Sequence, residues 1–165
     1  MVRILLILSV ATGLYAQVYK VGFAQDTLAN DWRQAQVGEA IQTAAKYDFI
    51  DLDVTDASGS IAKQVLHIEE FIVDGYDYII TSPADAKIAT FVIDRAMDSG
   101  IDVVLISRGI EGDNYTSFIA PDNYKIGQEA AHFLLQKIEY SGTVLMLQGV
   151  EGATTTAERT DDLWM

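Results

Sequence analysis

The sequence predicts an α/β protein: a Rossmann-like three-layer sandwich around a mostly parallel sheet, followed by the start of a second, similar unit. Two observations carry this. Short apolar runs alternate with longer amphipathic segments, the order that crossover helices impose on a parallel sheet. The chain has 165 residues, half of them hydrophobic and about a fifth charged, which suits one domain with a proper core and is short for two.

The elements follow in order. Met1–Ala16 carries one early arginine and an apolar run ending in small residues. An export signal cleaved after Ala16 fits it, with a buried first strand as the alternative. Val18–Ala24 reads as the first strand and 31–47 as a helix with Val37, Ile41, Ala44 and Ala45 on one side. Phe49–Val54 is the second strand. Ser60 caps a helix whose Ile61, Val65, Ile68 and Ile72 share a buried face, and Gly75 ends it in a left-handed conformation. Tyr76–Ile80 is the third strand, and Ser82-Pro83-Ala84-Asp85 opens a helix with Ser82 as N-cap. Ile101–Ile106 is a fully apolar fourth strand. Thr116–Ala120 is a short fifth strand leading through Pro121-Asp122-Asn123 into a helix over 124–139. Thr143–Leu147 reads as a further strand, and a last helix begins near Thr155, within which the sequence stops at Trp164-Met165.

Composition excludes several functions. The 24 acidic and 11 basic residues give a net charge of −13, which argues against a nucleic-acid partner or a polybasic membrane patch. Without cysteine there are no disulfides, thiol catalysis or thiolate metal sites. His67 and His132 stand alone in helical patterns, so no metal site is expected. No three-glycine dinucleotide fingerprint follows the first strand, and no nucleophile stands beside a base, so no cofactor and no catalytic residue is assigned.

Polar chemistry gathers where strands end. Trp32-Arg33 opens the first helix, at the side of a parallel sheet where ligands bind. An indole packs on the C–H face of a sugar ring, and a guanidinium donates paired hydrogen bonds to ring and hydroxyl oxygens. Arg108 follows the apolar fourth strand, where a buried guanidinium needs a ligand or carboxylates across a cleft. Asp122 and Asn123 could read hydroxyls, although a helix cap explains them nearly as well. Arg159, beyond the glycine-containing turn 148–152, is ambiguous. The pattern describes a protein that holds a polar small molecule rather than one that transforms it.

Laid out this way, the chain resembles the type I periplasmic sugar-binding proteins of carbohydrate ABC transporters, and most closely their galactofuranose- and ribose-binding branch. The matching stretches are VGFAQ…DWR at 21–33, GYDYIITSPAD at 75–85, IDVVLISR at 101–108, FIAPDNYKIGQEAA at 118–131 and VLMLQGVEGATTTAER at 144–159. The resemblance implies two α/β lobes closing on a monosaccharide, the first at 17–122 and the opening of the second at 123–165. It carries ligand roles to Phe23, Trp32, Arg33, Arg108, Asp122, Asn123 and Arg159. It also implies a periplasmic location and a membrane permease as partner. One departure stands out: the family commonly has Asp-Arg after the fourth strand, and here it is Ser107-Arg108.

Two alternatives remain at this point. The same fold could present a sugar to a histidine kinase or chemoreceptor. A small flavodoxin-like enzyme is a third possibility, opposed by the absent phosphate-binding glycines. An incomplete second lobe would further favour a strand-swapped dimer, because unpaired strand edges invite pairing.

Overall fold

A computed structural model describes residues 17–161. The expected export signal at 1–16 and the closing Trp164-Met165 lie outside the described residues. Five parallel strands, β1 (Tyr19–Gln25), β2 (Ile50–Asp56), β3 (Tyr78–Ser82), β4 (Asp102–Ile106) and β5 (Ser117–Ile119), form one sheet in the order β2-β1-β3-β4-β5. The connections are α1 (Asp31–Ala44), α2 (Ile61–Val73) and α3 (Ala86–Asp98), and α4 (Asn123–Lys137) and α5 (Thr154–Asp161) follow the sheet. The chain runs from β1 outward to β2, then returns to β1's other side as β3. The crevice between β1 and β3 is therefore the switch point where doubly wound sheets bind ligands.

Alternation along β1 assigns the faces. Ala24 packs with Ile79, Val103 and Leu105 against Ile68 and Phe71 of α2 and Val92, Ile93 and Ala96 of α3. That is the main core. Gly22 points the same way, and a β-carbon there would lie 2.5 Å from the Phe71 ring, so a glycine inside this strand lets α2 approach. Gln25 faces the other way, its side chain reaching Gln36 of α1, and Phe23, two residues earlier, shares that face. With α1 on one side and α2 and α3 on the other, the three-layer sandwich is as the sequence predicts.

Helix starts follow capping chemistry. Asn30, Ser60, Asp85 and Asp122 each accept a backbone N–H three residues on, from Arg33, Lys63, Ile88 and Lys125. Gly75 ends α2 with φ +66°.

Two expectations need correcting. Ser82 is not an N-cap: β3 extends to it, and Asp85 caps α3 instead, because a carboxylate three residues later reaches the Ile88 N–H at 2.8 Å. The segment Thr143–Leu147 is not a strand. A strand needs a neighbour to satisfy its backbone groups, none lies beside it among the described residues, and Leu145 and Leu147 are exposed.

Candidate functional site

Buried polar side chains concentrate at the carboxyl ends of β1 and β3. Gln25, Asp26, Gln64, Thr81 and Ser82 are all buried there, joined by Arg33 from the first turn of α1. Such groups are tolerated only when paired, and each makes a hydrogen bond or an ion pair, although Asp26 Oδ1 meets Arg33 only as an ion pair and accepts no hydrogen bond. The Gln64 amide donates to the carbonyls of Ala24 and Ser82 at 3.1 Å each, while its oxygen accepts from Ala84 N at 2.9 Å. The Thr81 hydroxyl donates to the Ala24 carbonyl at 2.8 Å. This web fixes the floor of the β1–β3 crevice.

Above it, one carboxylate holds two guanidiniums. Asp26 Oδ2 lies 2.7 Å from Arg108 Nη1, and Oδ1 lies 3.2 Å from Arg33 Nε. Arg33 Nη1 also donates to the Ser82 hydroxyl at 2.6 Å and to Gln36 Oε1 at 3.0 Å. Burial pushes the Arg33 pKa down, the Asp26 carboxylate opposes that, and the Arg108 guanidinium adds a smaller push downward. Arginine stays protonated throughout the neutral range regardless. The trio is thus a preorganised net-positive group at the switch point.

The neighbouring residues complete a cleft of about 510 Å³ lined by Trp32, Arg33, Ser107, Arg108, Thr155 and Arg159, with Asn30, Pro121 and Ile126 at its margins. That volume suits a small ligand. Ser107 holds φ +67°, a left-handed conformation that costs a non-glycine residue about 1–2 kcal/mol; it turns the chain so that Arg108 enters the cleft. The far wall comes from α5, which docks through the Thr154 hydroxyl accepting from Gly109 N at 3.0 Å.

The structure brings together Trp32, Arg33, Arg108 and Arg159 and separates the rest. Trp32 and Arg33 diverge because adjacent helical positions are about 100° apart: the indole is 63 % exposed, the guanidinium residue 4 %. Asn123 is buried beside the cleft, where its oxygen accepts from Arg159 Nε at 2.9 Å and its amide donates to Glu158 at 2.8 Å. Asp122 does not line the cleft; its carboxylate caps α4. Phe23 does not either, being 1 % exposed on the α1 face of β1. Asp26, Ser82 and Gln64 were not singled out from the sequence. A polar run directly after an apolar strand, Gln25-Asp26, was the available signal.

The chain matches the family model described as the periplasmic binding protein domain over residues 21–164. It is 30 % identical to the ribose import binding protein of Bacillus subtilis, covering 86 % of this chain and 46 % of that protein. It is 28 % identical to the galactofuranose-binding protein of Escherichia coli, covering 84 % and 45 %. The chain therefore spans about half the length of these curated relatives. Among solved structures, the fructose-binding periplasmic domain of a hybrid two-component system superposes with a TM-score of 0.84 at 28 % identity, covering 88 % of this chain and 48 % of that one. A galactofuranose-binding protein gives 0.81 at 27 %, covering 88 % and 50 %.

Proposed function

The chain belongs to the periplasmic binding protein domain family, in its type I sugar-binding branch, and we propose that it is the N-terminal, ligand-recognising part of a solute-binding protein. It holds a monosaccharide in the periplasm for uptake by an ABC transporter and does not transform it. In this reading residues 17–122 are the first lobe and 123–165 open the second. The Trp32 ring packs on one face of the sugar, Arg33, Arg108 and Arg159 donate to its oxygens, and Asn123 orients Arg159. Phe23 and Asp122 act from behind, as core and as helix cap.

The observation that carries the proposal is the convergence of an exposed indole and three guanidiniums over the carboxyl ends of β1, β3 and β4. Calorimetry of the chain against a panel of monosaccharides tests it. Saturable binding is expected, weakened about ten- to hundredfold by Arg108→Ala, the scale of a lost charge-assisted contact. Unchanged affinity in that variant removes Arg108 from the site.

A second reading has its own support. The fructose-binding domain that superposes so well is part of a hybrid two-component system, and a sensory output would use the same cleft. Neighbouring genes for a permease favour uptake; a neighbouring histidine kinase favours sensing.

A further inference from the structure

We infer that the cleft is built for an acidic monosaccharide, a polyhydroxylated ligand carrying one carboxylate, rather than for an uncharged sugar. The inference rests on the sugar-binding reading and narrows it. The chain has five arginines, and three of them, Arg33, Arg108 and Arg159, line this one cleft. An adjoining space of about 410 Å³ shares Arg108, Thr155 and Arg159 and continues along residues 146–150. No aspartate or glutamate lines either space among the described residues. In a protein of net charge −13, the cleft inverts the sign of the whole molecule.

Hydrogen-bond capacity points the same way. A guanidinium donates and cannot accept. The hydroxyls of a neutral sugar donate as well as accept, and a buried hydroxyl proton without an acceptor is costly. The carboxylates nearest this cleft each face another group of the protein, and among the described residues none lines it. Asp26 is buried between Arg33 and Arg108, Glu158 accepts from Asn123, and Asp122 Oδ1 caps α4. Asn30 Oδ1 caps α1. The residue before Arg108 is Ser107, whose neutral hydroxyl can accept a hydrogen bond but offsets none of the guanidinium charge. One carboxylate shared by two guanidiniums leaves a positive charge on that trio, and Arg159 adds another. A ligand carboxylate supplies acceptor oxygens to these donors and offsets the surplus charge, and its ring still stacks on Trp32.

Titration of the 165-residue chain with two matched pairs, D-galacturonate against D-galactose and D-glucuronate against D-glucose, tests this, since the members of each pair share the sugar ring and differ in carrying a carboxylate in place of the hydroxymethyl group. Calorimetry at low ionic strength should show at least one acid bound about ten- to hundredfold more tightly than its neutral partner, the range of one charge-assisted hydrogen bond. Arg159→Gln, on an exposed helix position, should erase most of that preference while the far-ultraviolet spectrum stays unchanged. Neutral sugars bound as tightly as the acids, or an acid preference indifferent to both Arg159→Gln and Arg108→Gln, overturns the inference and leaves the sugar-binding reading intact. Binding of neither member of either pair overturns the inference and counts against that reading as well.

Discussion

Replacing Asp26 with asparagine removes the one charge that lets two guanidiniums share the switch-point crevice. Arg33 and Asp26 expose 4 % and 5 % of their side chains and Arg108 13 %, so water replaces little of what is lost. Breaking a buried ion pair by removing one partner costs about 3–5 kcal/mol. The lower end applies, because Arg33 keeps its bonds to Ser82 and Gln36 and Arg108 keeps a contact to the Pro83 carbonyl at 3.4 Å. At roughly 2–4 °C per kcal/mol for a chain of this size, Asp26→Asn should lower the melting temperature by about 6–12 °C. Thermal unfolding followed by circular dichroism measures this, and adding about 0.5 M salt should change the difference little, since buried pairs are weakly screened. The double variant Asp26→Asn/Arg108→Met should recover part of the loss, as the second guanidinium then needs no partner. A melting temperature within about 2 °C of the parent, an effect of a surface substitution, or a double variant no better than the single, refutes the argument that Asp26 holds the pair.

Three further outcomes are expected. Gly22→Ala places a methyl 2.5 Å from the buried Phe71 ring, and overpacking of this kind costs about 1–3 kcal/mol, read as a lower denaturation midpoint with unchanged m-value. Trp32→Phe leaves the melting temperature nearly unchanged, because the ring is exposed, and abolishes most of the fluorescence change on sugar addition. The Tyr76 hydroxyl donates to Asp53 at 2.5 Å, and this hydrogen bond, with smaller contributions from burial and nearby acids, pushes its pKa up to about 12. A pKa raised in the folded state favours the protonated form there, so its contribution is complete below pH ~10, the ordinary phenol value, and is lost as pH rises toward 12. Ultraviolet titration should find a phenol ionising at about pH 12, absent in Tyr76→Phe.

Much of the fold was legible because it rests on local rules. The apolar runs ending at Ala24 and Ile106 and the alternating run ending at Val54 read as strands and are strands, and the caps at Ser60 and Asp122 obey short-range geometry. Thr143–Leu147 carries the same local signal as a strand and is none, since pairing is settled by what lies beside it. Ser82 and Asp85 compete for one cap, and the extra length of β3 decided between them. In the site, the cationic residues were visible because arginine after an apolar strand is chemically conspicuous. Phe23, whose ligand role came only from the resemblance, is turned by the alternation along β1 onto the α1 face and is buried. Asp26 contributes through residues 7 and 82 positions away, a relation that no spacing in the chain announces.

Nuclear magnetic resonance of the ¹⁵N-labelled chain, titrated with D-galacturonate or D-galactose, tests the central claim most directly. The account predicts saturable shifts at the Trp32 indole N–H and at the Arg33, Arg108 and Arg159 Nε–H signals, with the β2 edge at Ile50–Asp56 unmoved. Shifts centred on that edge or on the outer face of α3, with the four cleft signals stationary, would contradict it.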